Sequence, residues 1–247
     1  MNSNGPPQLT PAQWASYGES KRLALYISMG VFLVLGNSTF VARIYCQLER
    51  LHVLLLEDAF LAFALILANV GIVLNILATT KGLGLHDYRV IAEDDSAIRG
   101  ESLVRIYELI YVSNNLQAAC LASVKIALLF LYRRIFIVNQ KWLKVTWWGN
   151  LLFVIALFLI AIFFNIFQCS PINWYWMRMY ILAGSPVPNE DLGYCSPASR
   201  SVIYATLSLN IVSDVALLLL PAISIATLQI TMGNKIGLAV VFGFGIM

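Results

Sequence analysis

The sequence predicts an all-α fold, a polytopic bundle of membrane-crossing helices, and three observations predict it. Hydrophobic residues make up 60% of the 247-residue chain and charged residues only 12%, where a soluble domain carries about 25% charge. Mean hydropathy is +0.77. The apolar residues gather into runs near the roughly 20 residues that a helix needs to cross a hydrocarbon core, and the charges collect between them. The net charge of +3 does not point to nucleic acid, because the bases sit at the ends of the apolar runs and form no continuous patch. The four cysteines contain no C-x-x-C pair, and no metal site is expected. A chain of this length holds six or seven spans in one membrane domain, 23–247, with no sizeable soluble module.

Residues 1–22 are polar, carry Pro6, Pro7 and Pro11, and lack the basic-then-apolar order of a cleavable signal peptide; they read as a disordered extracellular tail. Residues 23–42 form the first span, stopped by Arg43. Asn37-Ser38-Thr39 matches a glycosylation sequon but lies inside that span, out of reach of the transferase. Residues 43–58 read as a loop whose run from Leu51 to Leu56 is too short to cross and lies at the interface or begins the next helix. The second span, 59–80, has Asn69 and Asn75 as its strongly polar groups. Residues 81–101 form a polar connection with a tight turn at Gly82 and Gly84 and a solvated acidic run from Glu93 to Asp95.

The third helix, Leu103 to Phe136 with its crossing part at 103–132, organises the rest. At about 100° per residue, Glu108, Tyr111, Asn114, Asn115 and Lys125 fall within roughly a third of its circumference. A charged group at mid-bilayer costs on the order of 3 kcal/mol or more, so this helix is expected inside the bundle. The fourth span covers 145–168. Trp142, Trp147 and Trp148 at its start and Trp174, Tyr175 and Trp176 beyond its end read as aromatic belts at the two interfaces. A long connection, 169–200, leads to the fifth span, 201–230, which has Asn210 and Asp214 one turn apart and a kink expected at Pro221. A sixth span, 236–247, begins after Lys235 with only about twelve apolar residues, short of the roughly 20 required, and is expected to be incomplete.

Orientation follows from the bases. Arg43, Arg50, Arg133, Arg134, Lys141, Lys144 and Lys235 fall in short loops on one side, which the positive-inside rule makes cytoplasmic. The amino terminus is then outside, although Lys21 and Arg22 argue the other way.

The succession Arg43-x-Tyr45, Glu57-Asp58, Gly82-x-Gly84-x-His86, Lys125 followed by Tyr132-x-Arg134-Ile135-Phe136, Cys169-x-Pro171 with Trp174, Asn210-x-x-x-Asp214 and Pro221 resembles the fungal rhodopsin-domain family. The resemblance implies a seven-helix integral membrane protein of a filamentous fungus, of a kind some of whose members are described as receptor-like. Gln47 stands where that family often has a second Arg, and Glu57 where it has Asp. The resemblance does not bring retinal as a cofactor, because microbial rhodopsins place their Schiff-base Lys in the last helix and this sequence ends before it.

Three constellations are candidates for function. Cys169 and Cys195 lie on the outer, oxidising side, either bridged over the bundle or as two free thiols. Asn210 and Asp214 share a face near mid-membrane, as structural hydrogen-bonding groups or as part of a ligand or ion path. Lys125 either snorkels to the inner interface or pairs with Asp214. Together with Glu108, Tyr111 and Asn115 these form the expected intramembrane polar site, while His52 and His86 read as solvent-facing. No Ser-His-Asp set, metal cluster or phosphate loop occurs, so no enzyme is expected. The expected function is receptor-like sensing in the plasma membrane, with the lipid bilayer and a cytoplasmic signalling partner at the basic loops as partners; nothing fixes the oligomeric state. The alternatives are an ion-coupled carrier using Glu108, Lys125 and Asp214, and a membrane scaffold or truncated product.

Overall fold

The computed structural model describes residues 20–51, 55–85, 96–136, 141–187, 193–196 and 199–227. The elements in order are α1 (Arg22–Leu51), α2 (Leu56–Lys81), α3 (Ser96–Phe136), α4 (Lys141–Ile166), β1 (Cys169–Ser170), α5 (Trp174–Leu182), β2 (Tyr194–Cys195) and α6 (Ser199–Thr227). Helices α1, α2, α3, α4 and α6 each contain a stretch long and apolar enough to cross a membrane. Their outward side chains are apolar, with Phe32, Ile66, Leu152 and Ile211 all at least 60% exposed. Such a surface suits lipid, in which an outward-facing Leu or Phe costs nothing.

Helix α3 is the hub. At about 1.5 Å per residue it is roughly 60 Å long, twice the hydrocarbon thickness, and it packs against α2, α4, α5 and α6. Two buried clusters hold it. At one end Leu129 and Tyr132 of α3 meet Trp147, Leu151 and Val154 of α4 and Leu217 and Leu220 of α6. At the other, Leu103 and Val104 pack under Met179 and Ala183 at the α5 end. Helix α1 is tied to α2 by a reciprocal pair of side-chain amide bonds, Asn37 to Asn69, 3.1 Å each way. Helix α2 is tied to α3 by Asn75 donating to Ser113 Oγ at 2.8 Å. The sequon asparagine is thus a bundle contact.

Several boundaries differ from those the sequence predicts. Arg43 does not end the first helix. Helix α1 runs on to Leu51, so residues 43–51 are helical where a loop is expected, because opposing carboxylates satisfy the arginine and its charge need not leave the helix. Helix α3 begins at Ser96 and α4 at Lys141, both earlier than expected. The 169–200 connection holds a helix, α5, and a two-residue antiparallel ladder pairing Cys169 with Cys195 and Ser170 with Tyr194. Trp147 is not a belt residue: it is buried, and its Nε1–H donates to the Leu129 carbonyl at 2.7 Å. Trp174 is buried too, and Tyr175 packs at a tilt against Tyr107 and Tyr111 of α3 and Trp176 edge-on against Tyr111 instead of facing lipid. Pro221 is buried within α6. His52, His86, the acidic run 93–95, the tail 1–19 and the sixth span lie outside the described residues.

Gly82 and Gly84 act through the backbone. Gly82 has φ +132° and closes α2, with the Leu83 N–H donating to the Ala78 carbonyl at 3.0 Å, a turn that a side chain would strain. Gly84, at φ +88°, lies where a Cβ would come within 2.8 Å of Leu25 on α1.

Candidate functional site

The deepest polar constellation joins α3 to α6. Lys125 is 7% exposed; its ammonium donates to Asn210 Oδ1 at 2.7 Å and to the Asn210 carbonyl at 3.3 Å, and it forms an ion pair with Asp214 at 3.0 Å. Asn210 and Asp214 fall on one face of α6 because they are one turn apart, and Lys125 reaches both because it is on the α3 face turned to α6. The ammonium thus has three oxygens within 3.3 Å, one of them charged. It pairs across the bundle instead of snorkelling. The Asp214 side chain is 57% exposed among the described residues, against 8% for Lys125, so the pair is buried on one side only.

A cavity of about 370 Å³ lies between α3, α4 and α6, lined by Asn114, Gln117 and Leu121 of α3, Phe163 and Phe164 of α4 and Leu207 and Asn210 of α6, together with Gln168 and Ser196. A second chamber of about 30 Å³ shares Ala118, Leu121, Ala161 and Asn210 with the first and ends on Lys125 and Ser213. Gln168 and Ser196 adjoin Cys169 and Cys195, which are disulfide-bonded and enclose a separation of 26 residues. The Ser196 N–H donates to the Gln168 carbonyl at 2.9 Å. The bridge therefore ties together two segments of the cavity lining, one after α4 and one before α6.

The opposite end of the bundle carries a charge cluster. Arg43 Nε meets Asp58 at 3.0 Å and its Nη2 meets Glu57 at 3.4 Å, while Arg134 of α3 meets the same Glu57 oxygen at 3.2 Å. Asp58 accepts two further bonds, from Gln47 Nε2 at 2.6 Å and from the Leu55 N–H at 3.1 Å, the latter closing the first turn of α2. Both carboxylates are 3% exposed. Next to it, Arg133 lies 5.0 Å above the Trp147 ring.

The fungal rhodopsin domain matches residues 42–247. The chain belongs to the fungal rhodopsin domain family. It is also 27% identical over 179 residues to a protein of Emericella nidulans described as a SAT4 family membrane protein, an alignment covering 70% of this chain and 41% of that protein. The chain thus spans well under half of that relative's length. No solved structure matches.

The residues that carry the likeness to the fungal rhodopsin domain fall into separate groups in space. Arg43 and Arg134 meet at Glu57 in the charge cluster and Arg43 also pairs with Asp58, while Tyr45 is 62% exposed. Tyr132 belongs to the core between α3, α4 and α6. Pro171 and Trp174 form the seat of β2: a Cβ on Gly193 would come within 2.6 Å of Trp174 and 2.8 Å of Pro171. Burial pushes the Tyr175 phenol on the same helix above its ordinary pKa, with the nearby Arg178 pulling it the other way.

The polar stripe expected on α3 does not converge on one site. Glu108 forms a half-exposed pair with Arg105 at 3.0 Å and stays away from Lys125. An i,i+3 partner on its own helix satisfies it, so it need not turn inward. Tyr111 points to α4 and α5, donating to the Ile166 carbonyl at 3.4 Å. Asn115 donates back to the Tyr111 carbonyl at 2.8 Å and leaves its buried Oδ1 without a partner among the described residues. Sequence reasoning missed Ser213, buried beside Lys125 with its hydroxyl unpartnered among the described residues, as well as Gln117, Asn165 and Gln168 of the cavity. Spacing held part of the signal, since Asn210 and Ser213, like Asn114 and Gln117, stand at i,i+3.

Proposed function

We propose that the chain is a receptor-like, non-enzymatic sensing protein of the plasma membrane, with its amino terminus outside. The observation that supports this best is the continuity of the cavity with the α3–α6 junction through one residue, Asn210. Its Oδ1 is fixed by Lys125, and it lines both chambers. Anything that occupies the cavity therefore acts on a junction between two helices, and α3 leads from there to the basic end at Arg133 and Arg134. Lys141 and Lys144 stand beside them at the start of α4, so a cytoplasmic partner with an acidic face is the expected reader of that end. The chain needs no retinal at Lys125 on this reading, since its ammonium is committed to Asn210 and Asp214 and the space beside it is about 30 Å³.

A second reading, an ion-coupled carrier, is favoured by the asymmetric exposure of the Lys125–Asp214 pair, which lets one partner exchange protons or ions while the other stays buried. Reconstitution separates the two. A receptor shows ligand-dependent binding of a cytoplasmic partner to the basic segment and no flux in liposomes. Flux that stops with Asp214→Asn would instead establish the carrier.

A further inference from the structure

The floor of the cavity presents donors and a balanced charge, and this restricts what the cavity holds. The Asn210 amide is oriented by chemistry: an ammonium only donates, so the oxygen must face Lys125 and the NH2 group is left over. That NH2 has no hydrogen-bond partner among the described residues, and Asn210 lines both chambers. Ser213 adds a hydroxyl that is 1% exposed, lines the smaller chamber and has no partner among the described residues. A buried hydroxyl left unmade is costly, so the chamber is built for a polar visitor. The charge, however, is already spent. Asp214 neutralises Lys125 from outside the chamber, and a carboxylate brought in would be an uncompensated charge in a low-dielectric site. The upper chamber is apolar on one wall, with Phe163, Phe164 and Leu207.

We infer that this cavity is a binding site for an uncharged amphipathic molecule with an acceptor-only oxygen head, such as a ketone, ester or lactone carbonyl, placed on Asn210 and Ser213. Its hydrocarbon body lies against the phenylalanines of α4. About 370 Å³ accommodates about a dozen water-sized groups, at roughly 30 Å³ each, which sets the size of the molecule. The inference rests on the receptor-like reading for its meaning but on the cavity alone for its test.

The probe is benzophenone, a neutral aromatic ketone that inserts into nearby C–H bonds when irradiated, used on the full chain in nanodiscs with labelled peptides identified by mass spectrometry. Labelling is expected on the α3 segment around Leu121 or the α6 segment around Leu207. It should be competed by 2-decanone and at least tenfold less effectively by decane or decanoate. Ser213→Ala should weaken the 2-decanone competition by about fivefold, the value of one neutral hydrogen bond. Leu121→Trp, which fills the space from an exposed position, should abolish labelling while the thermal unfolding of the protein is unchanged. Equal competition by decane would show a groove for lipid chains only, and superior competition by decanoate would show a site for anions. Either result overturns the inference, as would labelling that survives Leu121→Trp or a 2-decanone competition unchanged by Ser213→Ala. Specific labelling without ligand-dependent partner binding would leave the inference standing and defeat the receptor reading.

Discussion

Glu57 accepts from two arginines on different helices, Arg43 of α1 and Arg134 of α3, although it is itself almost completely buried. Glutamine would keep an acceptor oxygen but not the charge that both guanidinium groups face, so Glu57→Gln should lower unfolding stability in detergent by about 1–3 kcal/mol, the range for hydrogen bonds to charged groups. Arg134→Ala should cost at most about 1 kcal/mol, because that side chain is 40% exposed and its pair is screened. Equal losses for the two variants would contradict this ordering. The cluster was only half legible in the sequence. The acidic pair before α2 and the arginine at 43 are visible, but reading Arg43 as a stop signal placed it in a loop, since nothing local says that residues as far away as Arg134, 77 positions from Glu57, converge on the same carboxylate. Lys125 and Asp214 were easier to foresee, because each is costly alone in hydrocarbon and charge economy leaves few partners. Ser213 was not, since a serine in a membrane helix ordinarily bonds back to its own carbonyls.

At the scale of elements, close approach decides which glycines matter. A Cβ at Gly100 would meet Tyr180 at 2.5 Å and Ser185 at 2.9 Å, where the start of α3 passes the end of α5, while one at Gly149 of α4 meets nothing within 4 Å. Gly100→Ala should therefore destabilise by about 1–3 kcal/mol through overpacking, and Gly149→Ala should be neutral or stabilise by up to about 1 kcal/mol through helix propensity. Similar melting temperatures for the two variants would show that α5 does not seat on α3 as described. The Cys169–Cys195 bridge fastens the same side of the molecule. For a loop of this length the bridge contributes about 3.5 kcal/mol in the chain-entropy account, so reduction, or replacement of both cysteines by Ser, should lower the melting temperature clearly. Unchanged melting would mean that the ladder and the α5 aromatics suffice. The spans were legible because hydropathy reports them directly. Helix α5 was not, because its aromatic sequence, Trp174-Tyr175-Trp176, has the composition of an interfacial belt, and only the tyrosines of α3 reveal that it packs inward.

For the molecule as a whole, the cavity and the disulfide lie at one end of the bundle and the charge cluster at the other, with α3 running between them. The receptor-like proposal puts the first end outside. A cysteine introduced at Val138 should then resist an impermeant thiol reagent added to intact cells, and labelling from outside would reverse the orientation. What ties the two ends together is the junction of α3 with α6, whose described elements meet at Lys125, Asn210 and Asp214. The most direct measurement of that claim is a double-mutant cycle on global unfolding in detergent. Lys125→Met or Asp214→Asn alone should each destabilise the bundle by about 2–4 kcal/mol, Asp214→Asn at the lower end because its side chain is the more exposed. The two changes together should cost less than the sum of the single changes by at least about 1 kcal/mol. Strict additivity would contradict the account, leaving Lys125 and Asp214 as neighbours that share no free energy.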